Sequence, residues 1–169
     1  MGVIQHELMA SGASSGVDVD ASPAYLAACR DEAAKRGYVQ RIRYLQGDLI
    51  DVASSVDAAD IVTLDRVLCC YPDMPTLVDA SASRARRIYG LVIPRESRFM
   101  RFAVRAVNLI QTLRRRPFRL FLHASTDIDA RVAAYGLDKR YHGQTIFWQV
   151  LLYTRRDPDR AAPPGVSTG

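Results

Sequence analysis

The chain has 169 residues, of which 49% are hydrophobic and 24% charged, and its formal net charge is +5. This composition is typical of one globular domain and excludes a collagen-like or low-complexity chain. Three cysteines are too few for a disulfide framework, and no CxxC pair indicates a metal site. We find no signal sequence and no apolar run long enough to span a membrane, so we expect a cytoplasmic protein.

The first part of the chain alternates short strands with helices. Gly16–Asp20 is predicted to be a strand, and Ser22 and Pro23 then open a helix that Gly37 ends. Further elements are a helix over residues 74–87 and strands over residues 41–45, 61–64 and 89–93. This alternation predicts an α/β fold with a mostly parallel sheet and crossover helices.

The second part of the chain follows a different pattern. We expect a long helix over residues 97–115, a shorter one over 126–135, and a pair of strands over 137–141 and 146–154. Residues 157–169 contain three prolines and two glycines and are predicted to be a disordered tail. The expected organisation is one domain over residues 1–156, with residues 97–116 as a helical insertion or lid.

Acidic residues follow three successive predicted strands. They are Asp20, Asp48 and Asp65. Because ligands of parallel α/β sheets bind beyond the carboxyl ends of the strands, we expect these carboxylates to share one site. An acid after such a strand can accept hydrogen bonds from both hydroxyls of a ribose. Strand-end and helix-capping roles are the alternative interpretation.

Four segments around these acids are similar, in order and spacing, to the class I S-adenosylmethionine-dependent methyltransferases. They are residues 16–23 (GVDVDASP), 44–48 (YLQGD), 59–65 (ADIVTLD) and 67–73 (VLCCYPD). The resemblance covers about residues 2–154. It implies a three-layer α/β sandwich with a Rossmann-like, mostly parallel sheet and an antiparallel last strand, and it implies S-adenosylmethionine as the cofactor.

The resemblance also implies roles for the acidic residues. Asp20, followed by Ala21, would bind the cofactor ribose, with Asp18 as a rival. Asp48, preceded by Gly47, would bind the adenine amine, and Leu49 would pack near the ring. Asp65 and Arg66 would lie beside the methionine moiety.

The sequence departs from the family pattern at its start. Gly2 resembles the last glycine of the family's glycine-rich cofactor loop, whose preceding strand is absent. That strand is central in the family, so its loss removes on the order of 10 kcal/mol of a total stability of about 5–15 kcal/mol. We therefore expect a fragment of a longer methyltransferase, in which either the two halves of the sheet pair directly or the chain folds poorly alone.

Candidate acceptor-binding residues lie after the third and fourth predicted strands. Tyr71, Phe99, Phe102 and His123 are predicted to contact the substrate, and His123 is the one weak candidate for a catalytic base. A structural histidine bonded to the backbone is the other interpretation. Where many family members carry a His pair before Pro-Asp, this chain has Cys69 and Cys70, which we interpret as core residues rather than nucleophiles.

The predicted helix over residues 97–115 has a polar stripe of arginines and a broad apolar face. Three interpretations of the apolar face stay open. It packs against the chain's own core, it covers a hydrophobic substrate as a lid, or it contacts an anionic membrane peripherally. The arginines at 114–116 argue only weakly for nucleic acid, because no aromatic side chains are interleaved with them.

These observations predict methyl transfer from S-adenosylmethionine to a small, hydrophobic acceptor, impaired in the truncated chain. The alternative is a non-catalytic methyltransferase-like fragment that acts as a binding or membrane-associated module. The sequence predicts neither the acceptor atom nor the oligomeric state.

Overall fold

A computed structural model describes residues 2–156. Its helices are α1 (Val3–Ala10), α2 (Pro23–Lys35), α3 (Leu49–Val52), α4 (Met74–Ala82), α5 (Arg98–Leu113) and α6 (Ser125–Ala134). Its strands are β1 (Gly16–Asp20), β2 (Ile42–Gln46), β3 (Ala59–Asp65), β4 (Ala85–Pro94), β5 (Leu137–Gln144) and β6 (Trp148–Arg155). Strands and helices alternate as far as α5, which confirms the predicted α/β class. The predicted tail over residues 157–169 lies outside the described residues.

The first two strands form a parallel pair. β1 and β2 align Gly16 with Ile42 and Asp20 with Gln46. Between them, α2 begins where the Ser22 hydroxyl accepts a hydrogen bond of 3.2 Å from the amide of Tyr25, as a helix-capping serine does. A small core of Met9, Ala33, Tyr38 and Ile42 packs against this pair.

The other four strands form a second sheet in the order β3-β4-β6-β5. β3 and β4 are parallel, whereas β6 is antiparallel to both of its neighbours, β4 and β5. This arrangement confirms the prediction that the last strand is antiparallel. Fifteen buried residues from this sheet, the loop after β3, α4 and α6 form the main hydrophobic core, so most of the apolar burial lies in this part of the fold.

The two sheets are not hydrogen-bonded to each other. β1 pairs only with β2 and β3 only with β4, so within residues 2–156 each of these strands has one open edge. Direct pairing of the two halves, one of the two expected outcomes, does not occur. Side-chain hydrogen bonds connect the two parts instead, since Arg43 of β2 donates to the carbonyl of Ser55 at 2.7 Å and the hydroxyl of Tyr71 donates to Asp48 at 3.3 Å.

One predicted boundary is wrong. The helix predicted over residues 74–87 ends at Ala82, and β4 already begins at Ala85. The pairing of β4 with β3 explains why the helix ends early. Ala85 pairs with Ala59 of β3, and the carbonyl of Ala85 accepts a hydrogen bond from Arg155. These long-range bonds outweigh the weak local preference for helix.

Candidate functional site

The carboxyl ends of β1 and β2 place two of the predicted acids side by side. Parallel pairing brings the end of each strand to the same edge, and the amide of Gly47 donates a hydrogen bond of 3.1 Å to the carbonyl of Asp20. Asp48 follows directly on Gly47. The edge beyond these strands therefore carries two carboxylates in adjacent turns, as the parallel pairing rule predicts.

The Asp20 carboxylate has one occupied and one available oxygen. Its Oδ1 accepts a hydrogen bond of 2.7 Å from the amide of Ser22, which fixes the turn into α2. Its Oδ2 accepts no hydrogen bond from the described residues, and the side chain is partly exposed. A ligand hydroxyl can therefore donate to Asp20, whereas Ala21 beside it is exposed and contributes only its backbone.

Asp48 begins α3 and also contacts the next loop. Its Oδ1 accepts hydrogen bonds from the amide of Ile50 at 2.9 Å and from the hydroxyl of Tyr71 at 3.3 Å. Gly47 before it has φ +153°, and a Cβ there would lie 2.8 Å from Cγ1 of Val52. This turn therefore needs glycine, while Leu49 packs against the main core.

Asp65 lies at the end of β3 and pairs with its neighbour. The guanidinium of Arg66 donates to Asp65 at 3.0 Å, and this hydrogen bond raises the pKa of Arg66. Arg66 has φ +59°, and its guanidinium lies 5.7 Å above the ring of Trp148. The pair therefore connects the β3 end to the start of β6 through a cation–π contact.

Gly2 lies against α2. It has φ +65°, its amide donates a hydrogen bond of 3.1 Å to the hydroxyl of Tyr25, and a Cβ would lie 3.1 Å from the Cys29 sulfur. Because Gly2 has no side chain, α1 and α2 can pack closely at this position. Its role in cofactor binding stays a prediction.

An apolar cavity of about 350 Å³ lies between α5, the end of β4 and the start of β6. The loop before α6 closes one side of the cavity. The lining is apolar or aromatic and contains no charged side chain, which is typical of sites for small hydrophobic ligands. The lining residues are Cys69, Pro94, Met100, Val104, Leu120, Phe121, Phe147 and Trp148.

Tyr71 and His123 connect this cavity to the acidic strand ends. Tyr71 donates to Asp48, and its carbonyl accepts a hydrogen bond of 2.9 Å from Nε2 of His123. Since a carbonyl only accepts, this nitrogen carries the proton and the other ring nitrogen is left as an acceptor. Phe121, which lines the cavity, is stacked on the His123 ring at a centroid distance of 6.1 Å.

Cys69 in this region is a neutral thiol. Burial, with the neighbouring Cys70 as a second cause, raises the pKa of Cys69 to about 12. Cys69 also donates to the carbonyl of Arg66 at 3.2 Å. A thiol with such a pKa is protonated near neutral pH and is a poor nucleophile, so Cys69 forms part of the cavity wall.

The two predicted phenylalanines of α5 do not line the cavity. Phe99 and Phe102 are 65% and 71% exposed and lie on the outer side of the helix. Met100 and Val104 line the cavity instead, and sequence reasoning missed them because both faces of this helix are apolar. Phe147 and Trp148 were missed as well, since only the antiparallel return of β6 brings them to this place.

Comparisons with known proteins agree with this geometry. The model of a family described as "Methyltransferase domain" matches residues 2–92. No curated protein sequence matches the chain significantly.

Several solved structures share the fold. Magnesium protoporphyrin IX methyltransferase from Synechocystis PCC 6803, solved with bound SAH, is 17% identical with a TM-score of 0.61, over 90% of this chain and 80% of its own. An O-methyltransferase family 2 protein from Planctomyces limnophilus, in complex with apigenin, is 14% identical with a TM-score of 0.69, over 91% of this chain and 47% of its own. The chain thus spans under half the length of that relative.

A third similar structure is an O-methyltransferase from neocarzinostatin biosynthesis. It was solved with S-adenosyl-L-homocysteine and 1,4-dihydroxy-2-naphthoic acid, and it is 16% identical with a TM-score of 0.63. The alignment covers 91% of this chain and 46% of that protein. At these identities the likeness concerns the fold.

Proposed function

Because this chain belongs to the family of methyltransferase domains, we propose that it transfers the methyl group of S-adenosylmethionine to a small, hydrophobic acceptor. One observation carries the proposal. An uncharged apolar cavity adjoins the strand ends that carry Asp48 and Asp65, through Tyr71 and His123 on one side and Arg66 on the other. A polar nucleotide-type ligand and an apolar ligand can thus bind next to each other.

The residues at the strand ends fit the adenosyl part of the cofactor. Asp20 has a carboxylate oxygen available to ribose hydroxyls, and Asp48 follows a glycine turn at the neighbouring strand end. Asp65 and Arg66 form a zwitterionic pair that suits the amino acid end. When bound, the cofactor supplies an electrophilic sulfonium methyl group.

The chain's own residues contribute position and exclusion of water. Met100, Val104 and Phe121 surround the acceptor with apolar groups, which orients it and keeps solvent from its reacting atom. His123 is held by the carbonyl of Tyr71 with one ring nitrogen left as an acceptor, so it can take a proton from an acceptor hydroxyl. Cys69 stays neutral and adds no charge to the wall.

Cofactor affinity of this chain is reduced by the open edges of β1 and β3. Neither edge has a hydrogen-bonded neighbour within residues 2–156, and these strands carry Asp20 and Asp65 at their ends. A site whose two halves can shift relative to each other loses pre-organisation and therefore binds more weakly.

The cofactor site is tested by titrating the protein with S-adenosylhomocysteine and following amide NMR shifts, a method that measures weak binding too. Asp20→Asn leaves an acceptor for the Ser22 amide but removes the charge. We expect the affinity to fall about tenfold to a hundredfold, the usual effect of losing a charge-assisted hydrogen bond. Asp31→Asn, on the exposed face of α2, is the matched control. Equal affinities of both variants would refute the assignment of Asp20.

The acceptor site is tested with a variant that fills the cavity. Val104→Phe places a larger side chain among the lining residues, whereas Val107→Phe adds the same volume on the same helix outside the cavity. We expect only Val104→Phe to abolish methylation of apolar phenols, with 1,4-dihydroxy-2-naphthoic acid and apigenin as probes, while S-adenosylhomocysteine binding stays unchanged. If Val104→Phe and Val107→Phe methylate the probes equally, the acceptor does not bind in this cavity.

A further inference from the structure

The outer face of α5 is apolar and uncovered. None of its residues is buried, and its most exposed apolar side chains are Leu113 at 75%, Phe102 at 71%, Phe99 at 65% and Leu109 at 60%. These positions are three to seven residues apart and therefore lie on one side of the helix. Single exposed apolar residues are ordinary on protein surfaces, but a continuous stripe marks an interaction site.

The opposite face of the same helix is fixed to the domain. Met100 and Val104 line the cavity. The Asn108 side chain donates a hydrogen bond of 2.8 Å to the carbonyl of Leu120 and accepts another of 2.8 Å from its amide. The orientation of α5 is therefore set by the domain, and the outer stripe cannot turn inward.

In the segment from Ser97 to Thr126, which contains α5, all charged side chains are positively charged. Between Glu96 and Asp127 the sequence contains seven arginines and no acidic residue. Within residues 2–156 none of these arginines forms a salt bridge. Arg98, Arg101 and Arg105 follow one another along α5 on the flank of the apolar stripe, which is the arrangement that places cations at lipid headgroups while apolar side chains enter the acyl region.

We propose that α5 lies on an anionic phospholipid surface, with Phe102, Leu109 and Leu113 inserted and the flanking arginines at the headgroups. The charge complementarity selects this occupant, since a second copy of the chain would bring the same seven arginines against one another. No helix within residues 2–156 combines the length and apolarity needed to cross a bilayer, so the contact is peripheral. This inference is independent of the proposed methyl transfer.

The proposal is tested by flotation with vesicles of phosphatidylcholine alone and of phosphatidylcholine with phosphatidylglycerol. We expect binding only to the anionic vesicles. Replacing Arg98, Arg101 and Arg105 by Gln reduces the partition coefficient on the order of a hundredfold, because each cation near such a surface contributes about fivefold. Replacing Lys35, Arg86 and Arg87 by Gln, all exposed and away from α5, removes the same charge and is expected to have a much smaller effect.

The apolar contribution is tested with Phe102→Gln, Leu109→Gln and Leu113→Gln combined. These side chains point outward, so circular dichroism and the midpoint of thermal unfolding are expected to stay as in the parent chain while vesicle binding is lost. Binding that is equal for both arginine variants would refute the proposal. Unchanged flotation of the apolar variant would also refute it. If sedimentation then showed a dimeric parent chain and a monomeric apolar variant, the stripe would be a contact between copies of the chain.

Discussion

The absence of hydrogen bonds between the two sheets predicts two units of different stability. Residues 2–46 contain β1, β2 and the small core of four buried residues, whereas the main core has fifteen. Because burial of apolar area is the dominant stabilising contribution, the first unit is expected to open while the second stays folded. The amides of β1 and β2 would then exchange by an opening of lower free energy than those of β4 and β6.

Ile42→Ala tests this expectation. Ile42 is 6% exposed and packs in the small core. The substitution removes three carbon atoms at about 0.8 kcal/mol each and leaves a cavity, so we expect a loss of about 2–5 kcal/mol. This loss should lower the opening free energy of β1 and β2, while that of β4 and β6 changes by less than about 0.5 kcal/mol.

Native-state hydrogen exchange followed by mass spectrometry or NMR measures both quantities in one experiment. Leu91→Ala is the matched control, because Leu91 is 1% exposed and belongs to the main core. It is expected to lower protection in β4 and β6. If Ile42→Ala lowers protection by the same amount in all six strands, the chain opens as one cooperative unit, and the inference from the open edges is wrong.

Three further outcomes follow from local environments. Burial raises the pKa of Asp18, whose Oδ2 is buried without a hydrogen bond. Stability should therefore fall as pH rises above about 4 through the folded-state pKa, and urea unfolding should show this fall reduced in Asp18→Asn. Alkylation by iodoacetamide near neutral pH should modify Cys70, which is exposed, and spare Cys69, as peptide mapping would reveal. Gly47→Ala should cost about 1–3 kcal/mol because its Cβ would meet Val52, and thermal unfolding should show a smaller loss for Gly37→Ala, whose Cβ meets nothing within 4 Å.

Local signals were sufficient for most elements of the fold. Ser22 caps α2 as predicted, and β1 pairs in parallel with β2 as β3 does with β4. These features depend on residues close in sequence, through capping, turn chemistry and periodicity. The place of Asp20 beside the Asp48 turn follows from the same rules, because parallel strands end at a common edge.

Other features depend on contacts between distant residues, and the sequence could not predict them. The end of α4 at Ala82 is set by the pairing of Ala85 with β3. The cavity exists because β6 returns antiparallel and places Trp148 near α5, and periodicity alone could not tell which apolar face of α5 would turn inward. Sequence alone therefore determined the family resemblance and the acids at the strand ends. Tertiary structure decided which apolar side chains enclose a ligand site, because packing selects among faces that are equivalent in the isolated helix.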